Sequence, residues 1–228
     1  MLIFLDLETT GLDSVDKICS IAVVAVFEDE SFSSYDLVYE GKKISSKASS
    51  VNHITNEMIK GKPSLKDSKT FKLLESYNSE NSTLIAHNIN FDLKMLAGSG
   101  FIWRGSVIDT LRVTKHLIPE CEQFSLGFLR YELKLYKKEQ EITPHNALSD
   151  ASLVKFLYEY LLDIASKEKL IELSGKNVLI EKFNFGKYSG RYIEEITLYD
   201  RGYLEWILAN ITDLDEDLSY SIKNYLHL

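Results

Sequence analysis

Ten consecutive residues, Ile18 to Phe27 (ICSIAVVAVF), carry no charged side chain and are rich in Ile and Val. A run of this composition and length reads as a buried strand and is too short to span a membrane. Leu2 to Leu7 reads as a strand of the same kind, and the intervening loop, rich in Gly, Asp and Ser, makes the pair a hairpin. Tyr35 to Tyr39 is a candidate third antiparallel strand. The N-terminal MLIFLDLETTGL has no basic leader and turns acidic after five apolar residues, so it is a core strand and not a signal peptide.

Further along, strands and helices mix. Lys42 to Ser50 is polar and irregular; Thr55 caps a short helix through Ile59; Ser68 to Tyr77 has Phe71, Leu74 and Tyr77 at helical spacing. Thr83 to Ala86 and Val107–Ile108 are short strands. Phe91 to Gly98, Leu111 to Leu117 and Leu126 to Leu133 are helices, the last capped by Ser125. Ala147 to Ile164 is a long helix with Leu148, Ala151, Val154, Leu157, Tyr158, Leu161 and Leu162 three and four apart. The pattern predicts an α/β fold with a mixed sheet. With 228 residues there is room for one large core and an appendage: a domain over 1–165, a linker over 166–177 in which the mostly polar Ser166 to Lys176 reads as a linker helix, and a small hairpin-helix module over 178–228.

Three acidic motifs stand out. Asp6 and Glu8 are two apart on the first strand and therefore on one face, where two carboxylates repel and lose hydration. A hard divalent cation relieves that arrangement; core packing does not. Asp92 falls in the first turn of a helix that follows a strand, within Asn88-Ile89-Asn90-Phe91-Asp92. Asp150 opens the last long helix, five residues after His145, which Pro144 and Asn146 place in a loop. Each feature alone is ordinary. Their conjunction, in this order, is not.

The stretches FLDLETTGLD, VNHITNEMIKGKP, LIAHNINFDLKML, IDTLRVTKHLIP, FSLGFLRYELKL and HNALSDA together resemble the DEDDh 3′-5′ exonuclease superfamily, especially its DnaQ-like, proofreading-subunit branch. The resemblance covers about residues 1–162. It implies an RNase H-like fold with a mixed five-stranded sheet flanked by helices. It also implies two cations, Mg2+ or Mn2+, held by Asp6, Glu8, Asp92 and Asp150, with His145 as general base. Thr9, Thr10 and Gly11 after the first acidic pair, His53 and Ile54, and Asn88 and Phe91 are the expected substrate contacts. The family often has His-Gly before Ile-Thr, where this chain has Asn52-His53.

The implied activity is release of nucleoside 5′-monophosphates from a 3′ end, with single-stranded DNA favoured as partner and a DNA polymerase subunit as a further one. An RNA-trimming or oligoribonuclease-like enzyme uses the same residues, and a non-catalytic polymerase- or nucleic-acid-binding module is the reading outside enzymes. The net charge of −8 disfavours a non-specific phosphate binder but suits carboxylates that hold cations. Cys19 and Cys121 match no metal motif and read as reduced thiols of a cytoplasmic protein. In the C-terminal module, FNFGKYSGRYIEEI places Lys182, Lys187 and Arg191 near Tyr188 and Tyr192. Either this hairpin grips single-stranded nucleic acid or the module only packs Tyr203, Leu204, Trp206 and Ile207 against the nuclease.

Overall fold

Strands β1 (Leu2–Thr9), β2 (Ile18–Phe27) and β3 (Glu30–Leu37) form an antiparallel meander, and β4 (Thr83–Ala86) and β5 (Ser106–Asp109) continue the sheet beyond β1 in parallel pairing. The order is β3-β2-β1-β4-β5, the mixed five-stranded sheet expected. The computed structural model describes every residue except Ser14, Asp29, 139–146, Asn184 and Asp213. The third strand starts at Glu30, earlier than the apolar pattern suggests, and ends at Leu37. It is an edge strand whose Ser31, Phe32 and Ser33 face solvent, so its ladder with β2 leaves no alternation to read.

The helices mostly begin at hydroxyl or carboxylate caps. Helix α1 (Ser46–Asn52) occupies a stretch expected to be irregular; Ser45 caps it by accepting the Ala48 N–H at 3.1 Å, and His53 ends it in the left-handed region at φ 58°. Thr55 and Ser68 cap α2 (Asn56–Ile59) and α3 (Lys69–Ser76). Helix α4 (Ile89–Gly98) follows β4, and α5 (Thr110–Leu117) follows β5 through the cap Asp109. Ser125 caps α6 (Leu126–Glu132), and α7 (Ala147–Leu162) is the long core helix. The expected linker 166–177 contains the helix α8 (Lys167–Ser174), as its reading as a linker helix anticipates, and Leu170 and Leu173, three apart, give it a buried stripe.

Strand alternation divides the core into two layers. Phe4, Ala22, Val24, Ile85 and Ile108 lie in one cluster with Ala151, Val154 and Leu157 of α7, while Ile3, Leu5, Ile21, Val23 and Leu84 lie in another with Phe71 of α3 and Leu96 of α4. Each fully buried Leu, Ile or Phe contributes about 1.5–3 kcal/mol, so α7 is held firmly against β1 and β2. Among the described residues no helix is long and apolar enough to cross a membrane.

The chain separates into two compact units, Met1–Ser174 and Gly175–Leu228. The second has its own core of Phe183, Ile193, Ile196, Leu204, Ile207 and Ile222. Its expected hairpin is reduced to one antiparallel bridge between Lys182 and Tyr192, followed by three helices, α9 (Ile193–Tyr199), α10 (Arg201–Asn210) and α11 (Glu216–Leu226). Gly186 and Gly190 both have positive φ, which bends the chain out of strand geometry between the bridge partners.

Candidate active site

Asp6 pairs with Ala22 and Glu8 with Ser20 across β1 and β2, so both carboxylates face the layer covered by α7. On α7, Asp150 is four residues before the buried Val154 and seven before the buried Leu157, which turns it to the same side. Carboxylate oxygens of Asp6, Glu8 and Asp150 all lie within 4.8 Å of one another. Residues at positions 6, 8 and 150 thus share one small volume.

Asp92 enters from the parallel side. The pairing of β1 with β4 ends at Phe4 and Ile85, so the next residues of β1 have no β4 partner there. The buried Asp92 carboxylate takes the Leu7 backbone N–H on that open edge. It stands outside the group of three, yet its charge is the strongest of those acting on Asp6.

Asp6, Glu8 and Asp92 are held in surroundings that disfavour their ionisation. Burial first, then the charges of Asp92, Glu8 and Asp150, hold the Asp6 pKa well above the usual range. Burial and the Asp150 charge push Glu8 up to about 7, against a pull downward from the Asn52 amide. Asp92 is raised by burial and by Asp109 and Glu8, partly offset by the backbone N–H groups it accepts. Among the described residues no Lys or Arg pairs with Asp6, Glu8 or Asp92, and the buried Asp6 Oδ2 has no hydrogen-bond partner. An orphaned carboxylate oxygen among closely spaced carboxylates is the donor set that a hard, oxygen-loving divalent cation fits.

Beside Glu8 lies a groove of about 450 Å³, lined in part by Thr9, Thr10, Gly11, Leu12, Lys43 and Asn52. Its floor is braced. Thr10 Oγ1 donates to Asp16 Oδ1 at 2.9 Å, Asp16 pairs with Lys42 at 2.6 Å, and a Cβ at Gly11 would collide with the Asp16 carboxylate. The other expected substrate contacts are dispersed. His53 is exposed at the end of α1, whereas Ile54 is only 4% exposed and packs with Cys19, Ile44 and Ile59. Its side chain therefore anchors the loop and does not line the groove. Asn88 is exposed, and Phe91 is half-buried against the layer under α4. His145 lies outside the described residues.

Two positioning residues were not legible as such in the sequence. Buried Asn52 donates to the Thr9 carbonyl at 3.2 Å and accepts the Ile54 N–H at 3.0 Å, joining the end of α1 to the end of β1. Asp109, the cap of α5, also accepts the Asn88 N–H at 3.0 Å. His87 is clamped between Thr110 Oγ1 at 3.0 Å and the Phe124 carbonyl at 2.8 Å, and burial lowers its pKa.

Comparison with known proteins places this geometry among relatives. The family model described as Exonuclease matches residues 3–158, and the one described as Exodeoxyribonuclease X-like C-terminal matches 183–212. Exodeoxyribonuclease 10 of Escherichia coli (strain K12) is 28% identical over 232 residues, covering 99% of each chain. DNA polymerase III subunit epsilon of Buchnera aphidicola subsp. Schizaphis graminum is 31% identical over 238 residues, covering 93% of this chain and 92% of its own. A solved structure of Exonuclease X in complex with 5′ overhanging duplex DNA superposes with a TM-score of 0.64 at 27% identity, covering 77% of this chain and all of that one.

Proposed function

This chain belongs to the exonuclease family, in its DnaQ-like DEDDh branch with the RNase H-like fold, and from that premise we propose that it removes single nucleotides from the 3′ end of single-stranded DNA as nucleoside 5′-monophosphates. The observation that carries this reading is the meeting of Asp6, Glu8 and Asp150 within 4.8 Å, with one Asp6 oxygen buried and unpartnered. DNA is favoured over RNA by two similarities: the end-to-end likeness to an exodeoxyribonuclease and the fold shared with a nuclease solved on DNA. A polymerase subunit as partner is supported by the likeness to the epsilon subunit.

The family depends on divalent metal. In this chain Asp6, Glu8, Asp92 and Asp150 would hold two cations, Mg2+ or Mn2+. When bound, such ions act as Lewis acids that favour hydroxide at neutral pH and stabilise a departing alkoxide. The protein's own groups do the rest. The carboxylates orient one another through β1, α4 and α7. His145 takes the proton of the attacking water, a task suited to a group that titrates near neutrality. Water adds its oxygen to the terminal phosphorus, the bond from phosphorus to the 3′ oxygen breaks, and the nucleotide leaves with a 5′-phosphate. The Thr9-Thr10-Gly11 turn and its groove receive the terminal sugar and base, the missing Gly11 side chain leaving room for the Asp16 carboxylate that braces the turn.

The test is a time course on matched single-stranded DNA and RNA, labelled at either end, with Mg2+, Mn2+ or EDTA. Mononucleotides released from the 3′ end of DNA, only with metal, are the expected result. Endonucleolytic fragments, or equal rates in EDTA, would sink the reading; faster release from RNA would transfer it to the ribonuclease alternative.

A further inference from the structure

We infer that the second unit holds single-stranded nucleic acid on a surface of its own, formed by Lys182 and Arg191 with the exposed aromatic rings of Phe185, Tyr192 and Trp206. This rests on reading the chain as a nuclease and adds a second point of attachment, built from residues outside the carboxylate cluster.

Charge is the first observation. The chain has 34 acidic and 26 basic residues, yet 182–191 contains Lys182, Lys187 and Arg191 and no acid. Lys187 is committed to the loop itself: it pairs with Asp200 at 2.9 Å, and Tyr188 donates its hydroxyl to the same Asp200 oxygen at 2.6 Å. Lys182 and Arg191 are exposed, and among the described residues neither has an acidic partner. The Lys182 ammonium stands 4.4 Å from the centre of the Tyr192 ring, which presents the cation and the ring together.

Aromatic exposure is the second. Phe185, Tyr192 and Trp206 are 38%, 44% and 54% exposed, although this small unit has its own buried core. Their orientations are set from below. Phe185 meets the buried Phe183 edge to face at 5.9 Å, and Trp206 lies nearly parallel to Tyr203, 17° apart. A Cβ at Gly186 would come within 3.0 Å of the Tyr203 hydroxyl, so the loop sits directly on α10. Planar rings held open to solvent beside unpaired cations suit a chain of stacked bases joined by phosphates. An apolar protein partner would use the rings but leave the cations without a counter-charge.

The test uses the full-length protein. Fluorescence anisotropy with a labelled oligothymidylate of about 20 nucleotides, in EDTA, isolates binding from cleavage. The double variant Lys182→Ala, Arg191→Ala should weaken binding about tenfold and flatten the slope of log affinity against log salt by about 1.4, at about 0.7 per lost phosphate contact. Trp206→Ala should weaken binding about fivefold and leave the salt slope unchanged, as expected for a lost stack. With metal, both variants should show a smaller ratio of kcat/KM for the long strand over a trinucleotide, and Lys182→Arg, Arg191→Lys should restore it. Wild-type affinity, salt slope and length preference in folded variants of both kinds would overturn the inference. Failure of the wild type to cleave either substrate would instead count against the nuclease reading.

Discussion

One oxygen of Asp109, at the end of β5, accepts the backbone N–H of Asn88 at 3.0 Å while it also caps α5 through Leu111 at 3.0 Å and Arg112 at 3.3 Å. Asn88 has φ 71° and starts α4, the helix that carries Asp92. The carboxylate therefore sets where α4 begins relative to α5, and through α4 the position of Asp92.

From this follows a prediction for a residue outside the four expected ligands. Asp109→Ala leaves three N–H groups without their acceptor and should cost about 1–3 kcal/mol, read by thermal unfolding. It should also raise several-fold the Mg2+ concentration needed for half-maximal rate. Asp109→Asn keeps an acceptor oxygen and should restore most of both. Unchanged metal dependence in Asp109→Ala would limit the residue to capping.

Asp6→Asn should move activity and stability in opposite directions. The Asp6 carboxylate is raised by burial and by three neighbouring carboxylates, so its ionised form strains the metal-free fold. Replacing it with a neutral amide should abolish nucleotide release yet raise the melting temperature in EDTA at about pH 8 by a few degrees, the usual response to about 1 kcal/mol. Loss of both activity and stability would argue that Asp6 serves the fold.

For His145, the proposed proton acceptor, alanine substitution should slow turnover by about 10²–10⁴ while cation affinity holds, as measured by calorimetric Mn2+ titration. Loss of cation affinity would make it a ligand instead.

The metal-free protein should become less stable as pH rises. Glu8 titrates near 7 in the folded chain against an ordinary value of 4.5. Between those values the unfolded chain has released its proton and the folded chain has kept it, so unfolding releases protons and is favoured by base. Stability should be greatest below about pH 4.5 as far as Glu8 is concerned, decline through pH 7 by about 3 kcal/mol, and then level off. Denaturant melts in EDTA at stepped pH measure this, and Mg2+ should remove most of the slope. A flat profile in EDTA would show that Glu8 ionises freely.

Residue order alone decides a good part of this protein. Long apolar runs specify β1, β2 and α7, hydroxyls before helical patterns mark the starts of α2, α3 and α6, and the two-residue period of a strand puts Asp6 and Glu8 on one face. These are local effects, legible from a few neighbouring residues. Elements stabilised by distant partners were only partly legible: the first half of β3 takes its ladder from β2, the packing of linker helix α8 depends on Leu170 and Leu173 finding the core, and short α1 has little periodicity to show. The site divides the same way. Its acidic residues are visible in the chain, but only packing brings Asp150 against Asp6 and Glu8, seats Asp92 on the open edge of β1, and assigns Asn52 and Asp109 their joining roles. Carboxylates that repel come together only because the burial of apolar surface around them offsets the repulsion, and that balance belongs to the folded molecule as a whole.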